Sequence, residues 1–582
     1  MVSVSDKAVP RDAPDRRSRI SLLASCLFLC FQACATVSPE PIPAVAQAAN
    51  RQDVVVKILA INDFHGQLTT NRRGPRPMGG AAVLASYLRA AQPGDWPERT
   101  FIVHAGDHVG ASPPESSFFQ DEPSIMWLNV LANQYCTHTD RMHPRCNMVG
   151  TPGNHEFDQG RTEMIRLIEG GTHRSGPFLQ NPYLGARFPY ISANVVDKDS
   201  REPILPPFVI KEVNGIRLAF IGAVLTETAS LVTPTGIAGL AFLDEAESIN
   251  RYVRQLRDDR GLRAFVVLIH QGGRQTPYEG TTRPGDLMGG QAIMKIIDHL
   301  DDDVDVVVSG HSHEFTNAVV KNRNGKDLLV TQAFASGTAY ADIRLMISRR
   351  SGEVAEKSAA IVTTYADEGP GLSPDPEVKQ LVTQVETQVA PLAMRGIGEA
   401  AADIVRAENL AGESALGNLI ADAQRAALGT DFAFMNPGGI RTDLRKGSLV
   451  FRDLFAVQPF GNSLVRMTLT GHQIYDLLNQ QWSNQPPRIL NVSGLTYTWD
   501  HDRAAGDRVV EVQKNGAPID RAAVYSVTVN DFLAAGGDNF TVFLKGDRQT
   551  IGPIDLKALV AYLQGLPQPF RASIEGRITR RH

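Results

Sequence analysis

The sequence has few cysteines, few long apolar runs and no large excess of charge of either sign. Only 5 of its 582 residues are cysteines, which excludes a small scaffold held together by disulfides. The formal net charge is −5, from 58 Lys and Arg against 63 Asp and Glu. This balance lacks the basic surface that a nucleic-acid polymer requires, so we expect no partner of that kind. The chain also contains no internal repeat and no low-complexity tract.

The composition is that of a soluble globular protein, with 43% hydrophobic and 21% charged residues. A chain of this length exceeds one hydrophobic core and predicts at least two domains. The residue pattern of the chain changes at the Gly/Pro-rich stretch Glu368–Gly371, which is followed by the amphipathic segment Asp375–Met394. We therefore expect a first domain over residues 50–365, a linker helix over 372–395 and a second domain over 396–578.

The N-terminus has the features of a secretory signal peptide. An apolar stretch, Ile20–Phe31, is followed by the small-residue cleavage site Ala33-Cys34-Ala35 and preceded by Arg16, Arg17 and Arg19. The stretch is too short for a membrane-spanning helix, which needs roughly 20 apolar residues. We expect residues 1–35 to be removed and the mature protein to be periplasmic or secreted.

Two features leave the route of export open. The segment Phe31–Cys34 loosely resembles a lipobox, in which Cys34 would carry a lipid and anchor the protein to a membrane. The pair Arg16-Arg17 hints at twin-arginine export, but Arg19 stands where that signal prefers an apolar residue. Apart from a lipid at Cys34, we expect no membrane contact, and we expect a monomer.

Two cysteines remain after the predicted cleavage, Cys136 and Cys146. In an oxidising compartment a pair so close in sequence predicts a disulfide. The alternative is a zinc clip, because His138 and His143 lie between them.

Five short polar motifs each follow an apolar, β-branched run that predicts a buried strand. The runs are Val54–Ile61, Phe101–Val103, Asn147–Val149, Ala264–Ile269 and Val304–Val308. The motifs are Asp63-Phe64-His65, Gly106-Asp107, Gly153-Asn154-His155-Glu156, His270 and Gly310-His311-Ser312-His313. In an α/β sheet the loops beyond the carboxyl ends of neighbouring strands meet in one crevice, so distant motifs can form one site. Each motif alone is more often an ordinary loop; their combination indicates a site.

The motifs contain seven candidate metal ligands. Carboxylate, amide and imidazole groups without a thiolate suit two divalent ions such as Mn²⁺, Zn²⁺, Fe²⁺ or Mg²⁺. We expect Asp63, His65 and His313 to hold one ion, Asn154, His270 and His311 the other, and Asp107 to bridge them. Two ions roughly 3.5–4 Å apart can generate a hydroxide and neutralise phosphoryl oxygens.

The neighbouring residue His155 is predicted to be catalytic rather than a ligand. It could stabilise the equatorial charge or protonate the leaving oxygen, with Asp158 orienting its other ring nitrogen.

These motifs resemble those of the secreted bacterial 5′-nucleotidase family, a calcineurin-like metallophosphoesterase domain followed by a C-terminal 5′-nucleotidase domain. The resemblance covers roughly residues 54–575. It continues in the second half through Asn436-Pro437-Gly438-Gly439-Ile440-Arg441, Gln458-Pro459-Phe460-Gly461-Asn462 and Asn530–Asp538.

The resemblance implies an α/β fold, with a four-layer α/β/β/α catalytic domain and a second α/β domain that binds substrate. It implies hydrolysis of nucleoside phosphates, with nucleotide sugars or cyclic nucleotides as further substrates. Phe460 and Phe532 would then sandwich the base, Asn462 and Asp538 would contact base or ribose, and Arg441 would hold phosphate. The alternative for either phenylalanine is an ordinary core position.

One departure from the family affects the expected substrate. Family members place further arginines near the segment Asn409–Ser414, where this chain has none; the nearest, Arg406, lies upstream. Phosphate capture is therefore expected to rest on Arg441 alone. Two alternatives remain: a thiosulfohydrolase or other phosphoester hydrolase on the same scaffold, which would not need the two phenylalanines, and a nucleotide-binding protein without catalysis.

Overall fold

The computed structural model describes residues 53–71, 76–92, 98–285, 287, 291–483 and 486–581. The predicted signal peptide with Cys34, and the first three residues of the predicted first domain, lie outside this range. Within it, no helix combines the length and the apolar composition that crossing a membrane requires.

The first domain alternates strands and helices. Its strands are β1 Asp53–Ile61, β2 Thr100–Ala105, β3 Met148–Thr151, β4 Val195–Asp197, β5 Phe208–Val213, β6 Ile216–Val224, β7 Leu240–Phe242, β8 Phe265–His270, β9 Arg283–Pro284, β10 Val304–Ser309, β11 Phe315–Lys321, β12 Asp327–Ala333, β13 Ala339–Ser348 and β14 Val354–Thr363. Its helices are α1 Ala81–Ala90, α2 Pro114–Ser117, α3 Glu122–Leu131, α4 Arg161–Glu169, α5 Thr228–Leu231, α6 Glu245–Arg260 and α7 Gln291–His299.

Two sheets form the centre of this domain, one in the order β14-β13-β1-β2-β3 and one in the order β5-β6-β8-β10-β12-β11-β9. Their inner faces share one apolar core, in which Ile58 and Val103 of the first sheet cluster with Phe220 of the second. The outer faces pack on helices: Leu59 clusters with residues of α1 and α3, and Ile221 with residues of α6 and α7. Successive side chains of a strand point to opposite faces, so β1 is buried on both. The predicted four-layer α/β/β/α architecture is confirmed.

The five predicted strands all form and are divided between the two sheets. The strands β1, β2 and β3 run parallel in the first sheet, and β8 and β10 run parallel in the second. Because the two sheets face each other, the carboxyl ends of both strand sets meet at one edge of the domain.

A helix, α8 Pro376–Ala393, follows the first domain. It begins where the Asp375 side chain accepts hydrogen bonds from the amides of Glu377 (3.1 Å) and Val378 (3.0 Å), and Pro376 occupies its first turn. Its apolar stripe, which includes Val378, Val382, Val385 and Val389, packs into the same core as α1 and α3. The helix is therefore anchored on the first domain and leads to the second.

The second domain is also α/β. Its strands are β15 Gly396–Ala400, β16 Phe432–Met435, β17 Gly447–Val450, β18 Ser463–Thr470, β19 Asn491–Ser493, β20 Thr496–Asp500, β21 Val509–Lys514, β22 Ala517–Pro518, β23 Val524–Asn530, β24 Asp547–Ile554 and β25 Ile578–Arg581. Its helices are α9 Ala415–Leu428, α10 Phe451–Val457, α11 Gly471–Asn479, α12 Asp531–Ala534 and α13 Asp555–Gly565. The central sheet has the order β19-β16-β23-β18-β24.

The cysteine pair forms a disulfide between Cys136 and Cys146, so the alternative of a zinc clip is wrong. Both cysteines are buried, and in the sequence they lie between α3 and β3.

Candidate active site

The loops that carry the candidate ligands share an unusual backbone conformation. Five of the seven ligands have positive φ angles: Asp63 (49°), His65 (49°), Asp107 (47°), His311 (73°) and His313 (59°). Non-glycine residues rarely adopt this left-handed region, and each such residue costs of order 1–3 kcal/mol. The surrounding fold therefore holds these loops in strained conformations, which lower the stability of the protein but position the candidate ligands.

The first group of ligands lies around the Asp63 carboxylate. His313 Nε2 is 3.4 Å from Asp63 Oδ1 and 3.0 Å from His65 Nε2. The Asp63 carboxylate also accepts hydrogen bonds from the His311 amide at 3.0 Å and from Asn62 Nδ2 at 2.7 Å. These contacts bring the ends of β1 and β10 together.

The second group lies around Asp107 and His270. His270 Nε2 is 3.0 Å from Asp107 Oδ2, and His311 Nδ1 is 3.1 Å from Asn154 Oδ1. His65 Nε2 is 3.7 Å from the same Asp107 oxygen. Asp107 thus contacts members of both groups.

The imidazole rings are oriented by main-chain carbonyls. His65 Nδ1 is 2.8 Å from the Gly110 carbonyl oxygen, and His270 Nδ1 is 2.7 Å from that of Ala105. With Nδ1–H donating to a carbonyl, each ring presents the lone pair of Nε2 to the cluster. For His65 that lone pair faces another ring nitrogen, an arrangement that a cation satisfies. The donors present, carboxylate and imidazole, fit divalent ions of the kind that metallophosphoesterases bind.

The glycines of the motifs make room for the ligands. A Cβ atom at Gly153 would lie 2.2 Å from Asp107 Oδ1, and one at Gly106 would lie 2.7 Å from His270 Nδ1. Both distances are shorter than any real Cβ contact, so no larger residue fits at either position.

The charges in the cluster are tightly coupled. Burial would raise the pKa of the Asp107 carboxyl, but His270 and His155 hold that pKa well below its usual value. Burial would lower the pKa of His270, but Asp107 and Asp63 raise it to about 9. Burial lowers the pKa of His311 to about 3. Asp107 and Asp63 therefore favour positive charge at this position, which a bound divalent ion would also supply.

A residue without an expected role, Glu156, ties two of the motifs together. Its carboxylate accepts hydrogen bonds from the amides of Asp107 (3.0 Å), His108 (2.8 Å) and Gly153 (2.5 Å). Burial raises its pKa to about 7. The sequence contains Glu156 within a motif, but the main-chain contacts that explain it are apparent only in the structure.

His155 lies against the cluster, and a ring nitrogen of His155 is within 4.8 Å of ligand atoms of His65 and Asp107. Its Nδ1 is 2.7 Å from Asp158 Oδ2, and its main-chain amide donates to Asp107 Oδ1 at 2.9 Å. Burial would lower the pKa of His155, but Asp158 and Asp107 raise it. The ring stacks on Phe460 of the second domain, with ring centroids 5.6 Å apart and planes at 17°.

A cavity of about 550 Å³ opens between the two domains next to this cluster. The first domain contributes Asn154, His155, Asp158 and His311 to its wall. All five residues predicted to bind substrate also line it: Arg441, Phe460, Asn462, Phe532 and Asp538. One cavity therefore joins the candidate ligands to the aromatic rings.

Arg441 occupies the end of the cavity nearest the candidate ligands. Its Cζ lies 5.8 Å from the centroid of the Phe460 ring. Burial lowers the pKa of the Arg441 guanidinium, and the charge of Asp107 is the strongest of those that raise it.

A second arginine, Arg406, lies near Arg441, and the expectation that phosphate capture rests on Arg441 alone stays a prediction. Arg406 Nη1 donates to the Ile440 carbonyl oxygen at 2.9 Å, and its positive charge acts on Arg441. An arginine 35 positions upstream is thus brought next to Arg441 by folding.

The cavity wall also contains a charged pair, of which sequence patterns indicated only Asp538. Arg488 Nη1 forms an ion pair with Asp538 Oδ1, and Asp538 Oδ2 accepts from Asn436 Nδ2 at 2.8 Å. No motif surrounds Arg488, and 50 residues separate it from Asp538, so no signal in the sequence could have identified it.

The two domains also contact each other beyond the cavity. Arg452 of α10 forms an ion pair of 2.7 Å with the buried Glu115 of α2. The Phe118 ring packs on Phe455 with ring centroids 5.3 Å apart. Together with the stacking of His155 on Phe460, these contacts hold the two domains against each other around the cavity.

Comparisons with known proteins agree with this description. Residues 56–315 match the calcineurin-like phosphoesterase family, and residues 395–545 match the 5′-nucleotidase C-terminal domain. The chain is 34% identical over 558 residues to cell wall protein Lmo0130 of Listeria monocytogenes, covering 89% of this chain and 68% of that protein. It is 35% identical over 542 residues to endonuclease YhcR of Bacillus subtilis, covering 91% of this chain but only 41% of that longer protein.

Among solved structures, the fold is similar to that of a 5′-nucleotidase precursor from Thermus thermophilus. The TM-score is 0.74 at 29% sequence identity, over 90% of this chain and 99% of that one. Fold, site and comparisons together define a phosphoester hydrolase of the calcineurin-like class, a class that implies divalent metal ions. More specifically, the chain belongs to the 5′-nucleotidase family, and the resemblance inferred from its motifs is confirmed.

Proposed function

We propose that this enzyme hydrolyses nucleoside phosphates, as a 5′-nucleotidase, with nucleotide sugars and cyclic nucleotides as further substrates. The observation that carries the proposal is the single cavity in which the candidate metal ligands, Arg441 and the rings of Phe460 and Phe532 meet. Hydrolysis of a nucleotide requires a metal centre that activates the attacking water, a cationic side chain that binds the phosphate, and aromatic rings that stack on the base.

Two divalent ions, Mn²⁺, Zn²⁺ or similar, would be held by Asp63, His65 and His313 on one side and by Asn154, His270 and His311 on the other, with Asp107 between them. When bound, they would supply Lewis acidity toward the phosphoryl oxygens and activation of the attacking water. The oriented Nε2 atoms of His65 and His270 support this assignment.

The remaining side chains have separate tasks. His155, whose Nδ1 is hydrogen-bonded to Asp158 and which lines the cavity, would donate a proton to the leaving oxygen or stabilise the equatorial charge. The guanidinium of Arg441, with Arg406 adjacent, would orient the phosphate. Phe460 and Phe532 would stack on the base, while Asn462 and Asp538 would contact base or ribose.

We propose domain limits of 50–365 for the catalytic domain, 372–395 for the linker helix and 396–578 for the substrate-binding domain. Export from the cytoplasm, directed by residues 1–35, is in keeping with a relative named a cell wall protein. Small nucleotides rather than nucleic acids are the proposed substrates, since the chain spans less than half of the relative named an endonuclease and carries a net charge of −5. The protein is proposed to act as a monomer.

The test is phosphate release by the purified mature protein from AMP, ATP, UDP-glucose and 2′,3′-cyclic AMP. The protein would be stripped with a chelator and resupplied with Mn²⁺ or Zn²⁺. We expect metal-dependent turnover of at least one of the four. Metal-dependent cleavage of bis(p-nitrophenyl) phosphate without turnover of any nucleotide would overturn the substrate class and leave only a phosphoester hydrolase.

A further inference from the structure

Two buried amide side chains, Asn62 and Gln332, lie directly behind the first group of candidate ligands. Asn62 is 5% exposed and Gln332 is 1% exposed. Asn62 follows β1 of the first sheet, and Gln332 lies near the end of β12 in the second sheet. Burying an amide is costly unless its polar atoms are hydrogen-bonded. Neither residue is among those that line the cavity, so contact with substrate does not account for them.

The side chain of Asn62 joins the two sheets at the level of the candidate ligands. Its Oδ1 accepts a hydrogen bond from the Ala333 amide at 2.9 Å, and its Nδ2 donates to the Phe334 carbonyl oxygen at 2.6 Å. Because a main-chain N–H can only donate, the atom that faces Ala333 must be the oxygen, which fixes Nδ2 toward Asp63. The main-chain oxygen of Asp63 accepts from the Ser336 amide at 2.7 Å. The end of β1 is therefore fixed to the segment that ends β12.

These contacts determine which oxygen of Asp63 faces the other ligands. Oδ2 accepts from Asn62 Nδ2 at 2.7 Å, whereas Oδ1 lies 3.4 Å from His313 Nε2 and 4.0 Å from His270 Nε2. The His311 amide donates to both oxygens at 3.0 Å. The terminal torsion of an aspartate is broad, so a carboxylate keeps one orientation only where its neighbours hold it. Without the Asn62 amide, Oδ1 would be held less firmly toward the imidazoles.

The side chain of Gln332 holds the loop that carries another ligand of this group. Its Nε2 donates to Ser312 Oγ at 2.6 Å and to the Glu314 carbonyl oxygen at 2.8 Å. Ser312 Oγ in turn donates to the Gly273 carbonyl oxygen at 2.8 Å. Because Ser312 and Glu314 flank His313 in the sequence, Gln332 fixes the loop on both sides of this ligand.

The end of β12 thus contacts both ligand loops, although it carries no candidate ligand itself. Phe334 and Ser336, which follow the strand, have positive φ angles of 54° and 57°. Such strain persists only where the surrounding structure imposes one conformation, and it is concentrated at functional sites. Since β1 and β12 belong to different sheets, their common anchor on β12 fixes the separation of Asp63 from His313.

We propose that Asn62 and Gln332 are positioning residues that hold Asp63 and His313 at the separation that one divalent ion requires. This inference rests on the proposed function, in which these two ligands and His65 bind one of two ions. Loss of a partner that orients a metal ligand typically costs about 10-fold to 100-fold in metal affinity or activity. Without either amide, the ion of the first group should therefore bind more weakly, and the ion of the second group should be affected less.

The experiment measures metal binding directly. The chelator-stripped, full-length mature protein would be titrated with Mn²⁺ by calorimetry, and with Co²⁺, whose visible absorption reports the coordination geometry. The variants are Asn62→Leu and Gln332→Met, which keep the approximate shape of each side chain but remove its hydrogen-bonding groups. The matched control is Asn322→Leu. Asn322 is 4% exposed, and its Oδ1 accepts from the amides of Asn324 and Lys326 in the turn between β11 and β12.

In the wild-type protein we expect two Mn²⁺ ions to bind. Asn62→Leu and Gln332→Met should each bind one of them about 10-fold to 100-fold more weakly, and the Co²⁺ spectrum should change. Excess Mn²⁺ should restore most of kcat for bis(p-nitrophenyl) phosphate, with KM close to that of the wild type, because the substrate-binding residues are intact. Asn322→Leu should keep wild-type affinities. Melting temperatures would establish that each variant is folded.

Wild-type affinity for both ions in a folded Asn62→Leu or Gln332→Met protein would overturn the inference. If neither variant folds, hydrogen exchange of the wild-type protein decides. Metal loading should slow exchange in residues 333–336, which are bonded to Asn62 and Asp63, more than in the turn of residues 322–326. Equal effects in the two segments would also overturn the inference.

Failure of the proposed function would look different. In that case the wild-type protein binds both ions but turns over no nucleotide, and the comparison of metal affinities between wild type and variants still decides the role of the two amides. A wild-type protein that binds fewer than two ions would overturn both the proposed function and this inference.

Discussion

The candidate metal cluster of the first domain and the cavity wall of the second domain are built in different ways. In the cluster, five ligands have left-handed backbone conformations, and main-chain groups fix the rings and carboxylates. In the wall, only Asp538 among the five predicted substrate residues has a positive φ, and its contacts are with the side chains of Arg488 and Asn436. The geometry of the cluster is imposed by the backbone, whereas that of the wall depends on side-chain pairs.

The difference reflects what each region must do. Metal ions and the phosphorus atom under attack must be positioned with little displacement. Strained loops that fix these positions are therefore retained in the fold. Recognition of a base by stacking and edge contacts can be altered one side chain at a time. Substitutions in the cluster should therefore abolish activity, whereas substitutions in the wall should change which substrate is preferred.

The largest effect is expected for Asp107→Asn. Asp107 contacts members of both ligand groups, and losing its charge removes several kcal/mol of favourable interaction with the ions, so kcat/KM for every substrate should fall by about 10³-fold or more. Metal content by elemental analysis should fall in parallel. The exposed Asp199→Asn serves as the control; retention of both metals and most activity in Asp107→Asn would contradict the assignment.

A second prediction separates catalysis from metal binding. His155→Ala should lower kcat by about 10²–10⁴-fold, the range for loss of a general acid, while both metals remain bound. The exposed His299→Ala should behave as wild type. If His155→Ala lost metal as well as activity, His155 would be a ligand and its proposed catalytic role would be wrong.

The two regions also differ in how far the sequence predicts them. The ligand motifs follow strands of strong apolar character, so their positions at strand ends could be inferred from the order of residues alone. The division into two sheets followed only from the family resemblance, because Ile58 and Leu59 are both apolar and buried, and alternation is absent where a strand is covered on both faces. The hairpin at Asn515-Gly516 is a local feature, since an Asn-Gly pair favours such a turn, and both residues have the positive φ that it requires.

The contacts of the second domain depend on pairings distant in sequence. Arg406 reaches Ile440, Arg488 reaches Asp538, and His155 of one domain stacks on Phe460 of the other. Charged residues with no local pattern give no indication of a partner tens of positions away. The family motifs identified Phe460 and Arg441 as candidates, but only the fold brings Arg406 beside them.

A third prediction concerns the aromatic part of the wall. Phe460→Ala should raise KM for nucleotides by about 5-fold to 150-fold, corresponding to the 1–3 kcal/mol of one base-stacking contact. Phe460→Tyr should restore most of the affinity, because it keeps the aromatic face. A small change in nucleotide KM together with a large fall in kcat would mean instead that the ring acts on His155, on which it stacks.

The smallest effect is expected for Asp158→Asn and lies in the pH dependence. Although burial lowers the pKa of His155, Asp158 and Asp107 raise it above its ordinary value, so removing the Asp158 charge should lower it. If the protonated ring is the active form, activity is lost as pH rises through the pKa of His155. The alkaline limb of the kcat profile should then move to lower pH, with metal content unchanged. An acid limb that moves to lower pH, with the alkaline limb unchanged, would mean instead that the neutral ring is the active form, and His155 would then not be the proton donor.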